Sequence, residues 1–172
     1  NAGIKNLNNV SLIQEELPIT TVDIKTGFMD SATLDVFWQF NVSNPADYFM
    51  MKGTGRNISA SDMNHFFVPA INVRAVGVLN EVSFDYSGNR DQANGSMQMK
   101  YDKLKVEVLR KDGKRKNRFL SAVANLFLDN VEKDGLVKKD DISATRDKTK
   151  SFWNYFWLFV RNGALESLTS RS

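Results

Sequence analysis

The sequence lacks cysteine and has little histidine or proline: its 172 residues include no Cys, one His and three Pro. Disulfides and thiolate chemistry are therefore excluded, but the cellular compartment stays open, because an envelope protein can lack cysteines. No window reaches the roughly 18 uninterrupted apolar residues that a membrane-spanning helix needs. The chain begins at Asn1 without a Met or a signal-peptide pattern. We therefore expect a mature product or, by preference, a piece of a longer protein.

The sequence contains no arrangement of side chains that is typical of a catalytic or metal-binding site. His65 has no second His near it in the sequence, so we interpret it as a surface or partly buried residue and not as a general base. No metalloprotease, nucleophile-elbow, Walker or dinucleotide-binding motif occurs, and the carboxylates are scattered. The sequence therefore predicts no catalytic residue, no metal ligand and no cofactor, and we expect a protein that is not an enzyme.

The composition is that of a foldable domain. Hydrophobic residues make up 42% and charged residues 25% of the chain, and the formal charge is +3. This length and balance predict a single domain over residues 1–172 that buries most of its apolar surface. The net charge is too small to imply a polyanionic partner.

The clearest pattern is a long hairpin over residues 82–109. Val82, Phe84 and Tyr86 alternate with polar residues, which is the period of a strand with one apolar face. A polar turn follows at residues 88–92. The alternation then resumes at Ala93, Gly95, Met97, Met99 and Tyr101. In this second strand the apolar residues up to Tyr101 have odd numbers, whereas those from Leu104 to Val108 have even numbers. This change predicts a bulge near residues 102–103, because one extra residue turns the following side chains to the other face.

Further strands are predicted at residues 2–13, 18–28, 31–42, 48–57 and 73–79. Residues 31–42 place Trp38 and Phe40 on one face, whereas Gly53 and Gly55 should weaken or bend the return strand. A short edge strand is predicted over residues 136–144, interrupted by the polar residues 138–141. The segments 34–57 and 82–106 are similar to each other, which favours stacked hairpins. The predicted fold is α+β and mostly antiparallel β, a long curved sheet of hairpins with an apolar face and two or three helices.

Three segments are candidates for these two or three helices. The first covers residues 62–68, with Ser61 as its N-cap and Pro69 as its end. The second covers residues 118–128, and the third covers residues 151–168. The third helix is unusually aromatic, with six aromatic residues close together: Phe152, Trp153, Tyr155, Phe156, Trp157 and Phe159. A helix that is apolar on nearly all sides must be buried by its own protein, by a partner or by a membrane interface.

This aromatic helix supplies the candidates for contact with a membrane or a partner protein. They are Phe152, Trp153, Phe156 and Trp157. The alternative is that the same side chains form part of the protein core.

A basic run lies between residues 100 and 118, with nine Lys or Arg against three acidic residues. We interpret it as a solvated strand face and hairpin tip. The functional alternative is attraction to anionic lipid headgroups. Nucleic acid is disfavoured, because the aromatic residues lie on apolar faces and do not alternate with these basic residues.

Four runs carry a resemblance to a known family: GSMQMKYDKLKVEVL (residues 95–109), FLSAVANLFL (119–128), RDKTKSFWNYFW (146–157, with Gly163 beyond it) and SDMNHFFVP (61–69). The chain resembles the C-terminal region of AsmA-like and TamB-like proteins of bacterial envelopes. The likeness covers residues 30 to 170, approximately. It rests on pattern and on these strings, without a diagnostic motif.

The resemblance implies a setting and a role. Proteins of this family are anchored by an N-terminal membrane helix and extend into the periplasm as a long β-sheet with an apolar groove. They are associated with outer-membrane assembly and with phospholipid transport between membranes, and no catalytic residues come with them. This chain would be the C-terminal portion of such an envelope protein, periplasmic and anchored at the inner membrane in its full-length form. Phospholipid or the membrane surface would be its partner, together with other envelope proteins.

The residues themselves leave two readings of the apolar face open. An acyl chain could cover it, and flexible Met side chains suit a variable apolar ligand. The candidates for lipid contact are then Trp38, Phe40, Phe84, Met97, Met99 and Tyr101. Alternatively the protein's own helices cover the face. The chain would then be a structural or protein-docking module with no lipid ligand.

Overall fold

The computed structural model describes residues 1–7, 19–28, 31–109, 126–128 and 137–169. These residues form one eight-stranded sheet and two helices. The strands are β1 (Ala2–Lys5), β2 (Thr20–Phe28), β3 (Ala32–Phe40), β4 (Phe49–Ser59), β5 (Val73–Gly88), β6 (Gln92–Val108), β7 (Leu126–Leu128) and β8 (Val137–Thr145). The helices are α1 (Asn64–Ile71) and α2 (Phe152–Thr169). The predicted α+β class, with a mostly antiparallel curved sheet and an aromatic C-terminal helix, is confirmed.

The sheet is an open meander. Strands β1 to β6 lie in chain order, each antiparallel to the one before it. Both β7 and β8 pair with β6, but at different places: β7 pairs with residues 104–106 and β8 with residues 92–99. The longest strands, β5 and β6, therefore form the central hairpin predicted from the alternation, and both segments of the suggested repeat form hairpins.

The central hairpin contains the predicted bulge. Val76 pairs with Lys105 and Val78 with Asp102, so two residues of β6 face one residue of β5. Lys103 lies at this point with φ of 48°. A second register shift lies between Leu79 and Glu81, where β5 carries the extra residue. As a result, β5 continues through residues 80–81. The strand predicted at residues 73–79 and the first strand of the predicted hairpin, which starts at residue 82, are one strand.

Gly53 has a packing role that the sequence did not indicate. We expected it to weaken or bend the return strand, yet β4 runs unbroken from Phe49 to Ser59. The ring of Phe84 on the neighbouring strand lies over Gly53, and a Cβ added there would overlap with that ring. Gly53 thus leaves the space that a large aromatic side chain fills.

The prediction for α1 was wrong at both ends. The helix begins at Asn64 after Met63, without a side-chain cap, and Pro69 lies inside it. The missing N–H of Pro69 costs one internal hydrogen bond but does not end the helix. Asn72, in the left-handed conformation with φ of 53°, ends it. Asn64 instead ties α1 to β5, since its side-chain amide bonds both the N–H and the carbonyl of Ala75 at 2.8 and 2.9 Å.

Two further predictions need correction. Residues 126–128, expected at the end of a helix, form strand β7, in which Leu128 pairs with Leu104. Leu126 and Leu128 are two residues apart in the sequence, which is the period of a strand, and the edge of β6 supplies the partner of β7. Residues 137–145 form an unbroken strand. A bulge with Asp141 at φ of 60° accommodates the polar residues, and pairing with β6 continues on both sides of it. The rest of the predicted helix at 118–128, the basic turn at 110–117 and the predicted strand beyond residue 7 lie outside the described residues.

Candidate functional site

One face of the sheet is apolar across most of its strands. Paired residues of an antiparallel ladder place their side chains on the same face. Trp38 pairs with Met51, Met51 with Tyr86, and Phe84 with Met97. The same face continues to β1, where Ile4 pairs with Val22 and is 57% exposed. The apolar face therefore extends beyond the part of the sheet that the helices cover.

Helix α2 packs on this face along one strip of its surface. Tyr155, Phe159, Gly163 and Ser167 are all buried and are spaced by four residues, as one side of a helix requires. Gly163 permits the closest approach. A Cβ added there would meet Ile142 and Met97 at 3.0 Å. The absence of a side chain at residue 163 therefore sets the distance between α2 and strands β6 and β8.

The N-terminal half of α2 forms an aromatic cluster with the sheet. Phe152 stacks on Trp38 with ring centroids 5.1 Å apart. Phe156 packs against Phe84 at 5.4 Å. Trp38 also contacts Phe40, at 4.6 Å. This half of the helix fills the space above β3–β5 with aromatic rings.

The C-terminal half of α2 leaves a cavity between itself, α1 and strands β4–β6. Its volume is about 200 Å³. We call it the apolar cleft. Its lining residues are Ile58, Ala60, Met63, Phe67, Val73, Ala75, Leu79, Val82, Met97, Met99, Leu104, Val106, Trp157, Val160, Arg161, Ala164 and Leu165. The surface that these described residues present to the cavity is entirely apolar, so Arg161 contributes its methylene stem and not its guanidinium.

The walls of the apolar cleft come from regular elements that hold them in place. Trp157 stacks on Phe67 of α1 with ring centroids 6.4 Å apart, which closes one end with two aromatic rings. The floor contains Met97 and Met99, both buried. An all-apolar cavity has no groups for binding water and accepts apolar ligands. Met side chains can adjust to ligands of different shape.

The structure places the predicted lipid-contact residues in three different environments. Met97 and Met99 line the apolar cleft. Trp38, Phe40 and Phe84 belong to the aromatic cluster instead. Tyr101 is buried in the core of the sheet, paired with Leu79.

The predicted membrane-contact or partner-contact residues also separate. Trp153 is 61% exposed. Phe152 and Phe156 pack on the sheet, and Trp157 lines the apolar cleft. Of these four residues, Trp153 alone presents most of its side chain to solvent.

Sequence reasoning missed the cleft residues of α2 beyond Trp157. These are Val160, Arg161, Ala164 and Leu165. Together with Trp157 they occupy positions i, i+3, i+4, i+7 and i+8, which is one continuous face of a helix. That spacing is visible in the sequence. The contact candidates were nevertheless placed at residues 152–157, because the aromatic residues are concentrated there.

A buried polar group lies at the other end of the aromatic cluster. The hydroxyls of Tyr86 and Tyr155 and the Nε of Arg146 are buried and have no hydrogen-bond partner in the part of the chain that the structure describes. Burial raises the pKa of Tyr155 to about 12. Burial, reinforced by Tyr155, raises the pKa of Tyr86 well above its usual range. Both phenols are therefore neutral at physiological pH, and they lie in a dry contact between sheet and helix.

The opposite face of the sheet is polar and has a shallow depression of about 400 Å³. Its lining is rich in charged and polar side chains, among them Asp35, Lys52 and Asp85. Lys52 and Asp85 form an ion pair of 2.8 Å, and Arg56 pairs with Asp35 at 3.3 Å. These exposed charges neutralise each other. The depression therefore gives a weaker indication of which ligand it could bind than the apolar cleft does.

The described residues supply no group of three or more His, Cys, Asp or Glu that could hold a metal ion. His65 is exposed on α1. Within the same residues, neither helix has both the length and the hydropathy that a transmembrane helix needs. Of the basic run, Lys100, Lys103 and Lys105 are exposed on β6, and the members from residue 110 onward lie outside the described residues.

Comparison of the chain with protein families, with curated proteins and with solved structures finds no match. The resemblance to AsmA-like proteins therefore stays a prediction that rests on the residues quoted for it. The site is interpreted from its own geometry.

Proposed function

We propose that this chain is a non-enzymatic lipid-binding module that accepts an acyl chain in the apolar cleft beneath α2. The observation that carries the proposal is the cleft itself, a cavity of about 200 Å³ to which the described residues present an entirely apolar surface. Packed cores contain few voids larger than a water molecule. A cavity of this size and chemistry is therefore a candidate binding site.

The size of the apolar cleft favours a narrow ligand. Pockets for drug-sized molecules start at about 300 Å³, so 200 Å³ suits part of one alkyl chain better than a ring system. Each buried methylene group gains about 0.8 kcal/mol. The apolar face itself continues on β2, where Val22 and Ile24 are partly exposed.

The wider role follows from the resemblance and belongs to the same proposal. As part of an AsmA-like envelope protein, the module would contribute to outer-membrane assembly or to phospholipid transport between membranes. It would act in the periplasm, in a full-length protein anchored at the inner membrane. A sheet with an apolar face that is only partly covered is a suitable surface for a lipid in transit.

Tryptophan fluorescence tests the proposal at the cleft. The chain has three Trp residues, and Trp157 lines the cleft whereas Trp153 does not. In a Trp38→Phe, Trp153→Phe variant, all Trp emission comes from Trp157. We expect a fatty acid brominated in the middle of its chain to quench this emission at concentrations below micelle formation. The matched control, Trp38→Phe with Trp157→Phe, leaves only Trp153 and should be quenched much less.

A blocking variant gives a second readout. Ala164→Phe places a ring in the cleft from the α2 side, and we expect it to abolish quenching of Trp157 while the far-ultraviolet circular dichroism stays unchanged. Equal quenching in the two single-Trp proteins would place the ligand elsewhere. Unchanged binding by the folded Ala164→Phe variant would refute the cleft as the site.

A second candidate is contact with a membrane or with an envelope protein through α2. Trp153 favours it, because a Trp that is 61% exposed suits an interface between apolar and aqueous phases. Exposed Phe66 on α1, at 57%, adds a second large apolar group to the surface. This contact is compatible with lipid binding, since a module that takes lipid from a bilayer must also touch it.

A further inference from the structure

One charged residue occurs among the described residues that line the apolar cleft. Arg161 lies on the cleft face of α2, next to Trp157 and Ala164 on the same side of the helix. Its stem contributes to the apolar wall, while its Nε and Nη2 donate to the side-chain oxygen of Asn162 at 3.4 and 3.1 Å. The guanidinium is therefore held beside the cleft and not inside it.

The position of this guanidinium is fixed by a second contact. The amide nitrogen of Asn162 donates to the backbone carbonyl of Ser143 on β8 at 2.9 Å. Asn162 thus connects Arg161 to the sheet, which limits how far the guanidinium can move. A guanidinium has five N–H donors, and the bonds to Asn162 use two of them.

The charge of Arg161 is not neutralised by the described residues. No carboxylate among them forms an ion pair with its guanidinium, whereas Glu166, one turn further along α2, pairs with Lys139 at 3.7 Å. A guanidinium stays protonated at every physiological pH and matches carboxylate and phosphate groups with two parallel hydrogen bonds. It therefore offers a positive charge and free donors beside an apolar cavity.

We infer that the ligand of the apolar cleft is an anionic amphiphile, with its alkyl chain in the cleft and its carboxylate or phosphate headgroup bound by Arg161. This inference rests on the proposed lipid-binding function and adds the charge of the ligand to it. An alkyl chain that leaves the cleft along the stem of Arg161 brings its polar end to the guanidinium. A neutral headgroup would accept only a weaker hydrogen bond there, and a cationic headgroup would be repelled.

Three amphiphiles of one chain length separate the headgroup from the chain: myristate, tetradecanol and tetradecyltrimethylammonium. Isothermal titration calorimetry on the whole chain, below micelle-forming concentrations, measures each affinity. We expect myristate to bind at least about ten-fold more tightly than tetradecanol, as for a hydrogen bond to a charged group. Tetradecyltrimethylammonium should bind most weakly. The preference for myristate should decrease as salt concentration rises.

Variants assign the preference to Arg161. Arg161→Gln should remove the difference between myristate and tetradecanol while the affinity for tetradecanol, which reports an intact cleft, stays unchanged. Arg161→Lys should keep part of the preference, because it keeps the charge but loses the planar pair of donors. The matched control is Arg74→Gln, an equal charge change at an exposed residue of β5 outside the cleft lining. It should leave all three affinities unchanged.

The outcomes separate this inference from the function on which it rests. Equal binding of myristate and tetradecanol by the wild type would overturn the anionic preference and leave lipid binding intact. A loss of preference in Arg74→Gln as large as in Arg161→Gln would assign it to overall charge and would also overturn the inference. If none of the three amphiphiles binds, the proposed function fails and the inference fails with it.

To distinguish the two anionic headgroups, dodecyl phosphate and laurate are compared in the same assay. Tighter binding of dodecyl phosphate identifies a phospholipid-type headgroup. Tighter binding of laurate identifies a fatty acid. Either result supports the inference only if Arg161→Gln weakens both ligands relative to dodecanol.

Discussion

Phe159 of α2 lies against Tyr86 of β5 with ring centroids 4.0 Å apart and ring planes inclined by 36°. Both side chains are 0% exposed. This contact joins the terminal helix to the longest hairpin of the sheet, between the aromatic cluster on one side and the apolar cleft on the other. This pair therefore contributes to the docking of α2, on which the cleft depends.

Phe159→Ala should destabilise the protein by about 3–5 kcal/mol, because it removes a fully buried ring and leaves a cavity between helix and sheet. Chemical denaturation followed by circular dichroism measures the change in free energy of unfolding. The matched control is Phe66→Ala, the same substitution at a residue that is 57% exposed. It should change stability by about 0.5 kcal/mol or less. Similar effects of the two substitutions would contradict the docking of α2 through Phe159.

Gly163→Val should separate α2 from the sheet. A Cβ at residue 163 already meets Ile142 and Met97 at 3.0 Å, and the branched side chain adds two methyl groups to that contact. Although Val is a better helix former than Gly, overpacking of this kind costs about 1–3 kcal/mol. The control is Gly3→Val in β1, where an added Cβ has no neighbour within 4 Å. Thermal unfolding of both variants checks the prediction, and a stabilised Gly163→Val would refute it.

Much of the sheet could be predicted from the sequence because its alternation is regular. Residues 31–42 were expected as a strand and β3 covers Ala32–Phe40. The terminal helix, predicted at residues 151–168, covers Phe152–Thr169. The bulge at Lys103 was predictable because a change of parity has few other causes. The periodicity of apolar residues was sufficient to predict those helices and strands that have one apolar face.

The apolar cleft could not be predicted, because it depends on contacts between distant residues. Its position follows from Gly163 docking on Met97 and from Asn64 bonding to Ala75, and neither contact has a local signature. The exposure of Trp153 and the position of Trp157 in the cleft wall also depend on where the helix docks. Periodicity can assign residues to a helix face, but the face that meets the sheet is selected by tertiary packing.

Trp153→Glu should reduce the binding of the protein to liposomes. Trp153 is 61% exposed on α2, so the substitution removes an interfacial aromatic group and adds a negative charge with little loss of packing. Flotation with vesicles that contain anionic phospholipid measures the bound fraction, and we expect a decrease of several-fold.

The control for Trp153→Glu is Ser143→Glu, which adds the same charge at an exposed position of β8. It should float like the wild type. Equal flotation of the wild type and Trp153→Glu would refute membrane contact through this residue and would favour a protein-docking surface.

The stability of the protein should decrease above pH 10, approximately, because two buried tyrosines must stay neutral. Burial raises the pKa of Tyr155 to about 12 and that of Tyr86 above its usual range, whereas both titrate near 10 in the unfolded chain. The folded state thus binds more protons than the unfolded state in this window. The stabilisation is complete below pH 10 and is lost as the pH rises towards 12, at about 1.4 kcal/mol per pH unit for each tyrosine.

Denaturation at a series of pH values from 8 to 11.5, approximately, tests this linkage. Tyr155→Phe removes a hydroxyl that has no hydrogen-bond partner among the described residues, so its stability near neutral pH should stay close to that of the wild type. In the alkaline range its stability should fall less steeply, by the share of one tyrosine, about 1.4 kcal/mol per pH unit. If the free energy of unfolding falls equally steeply with pH in the two proteins, ionisation of Tyr155 does not destabilise the folded state. The dry contact beneath α2 would then have to be rejected.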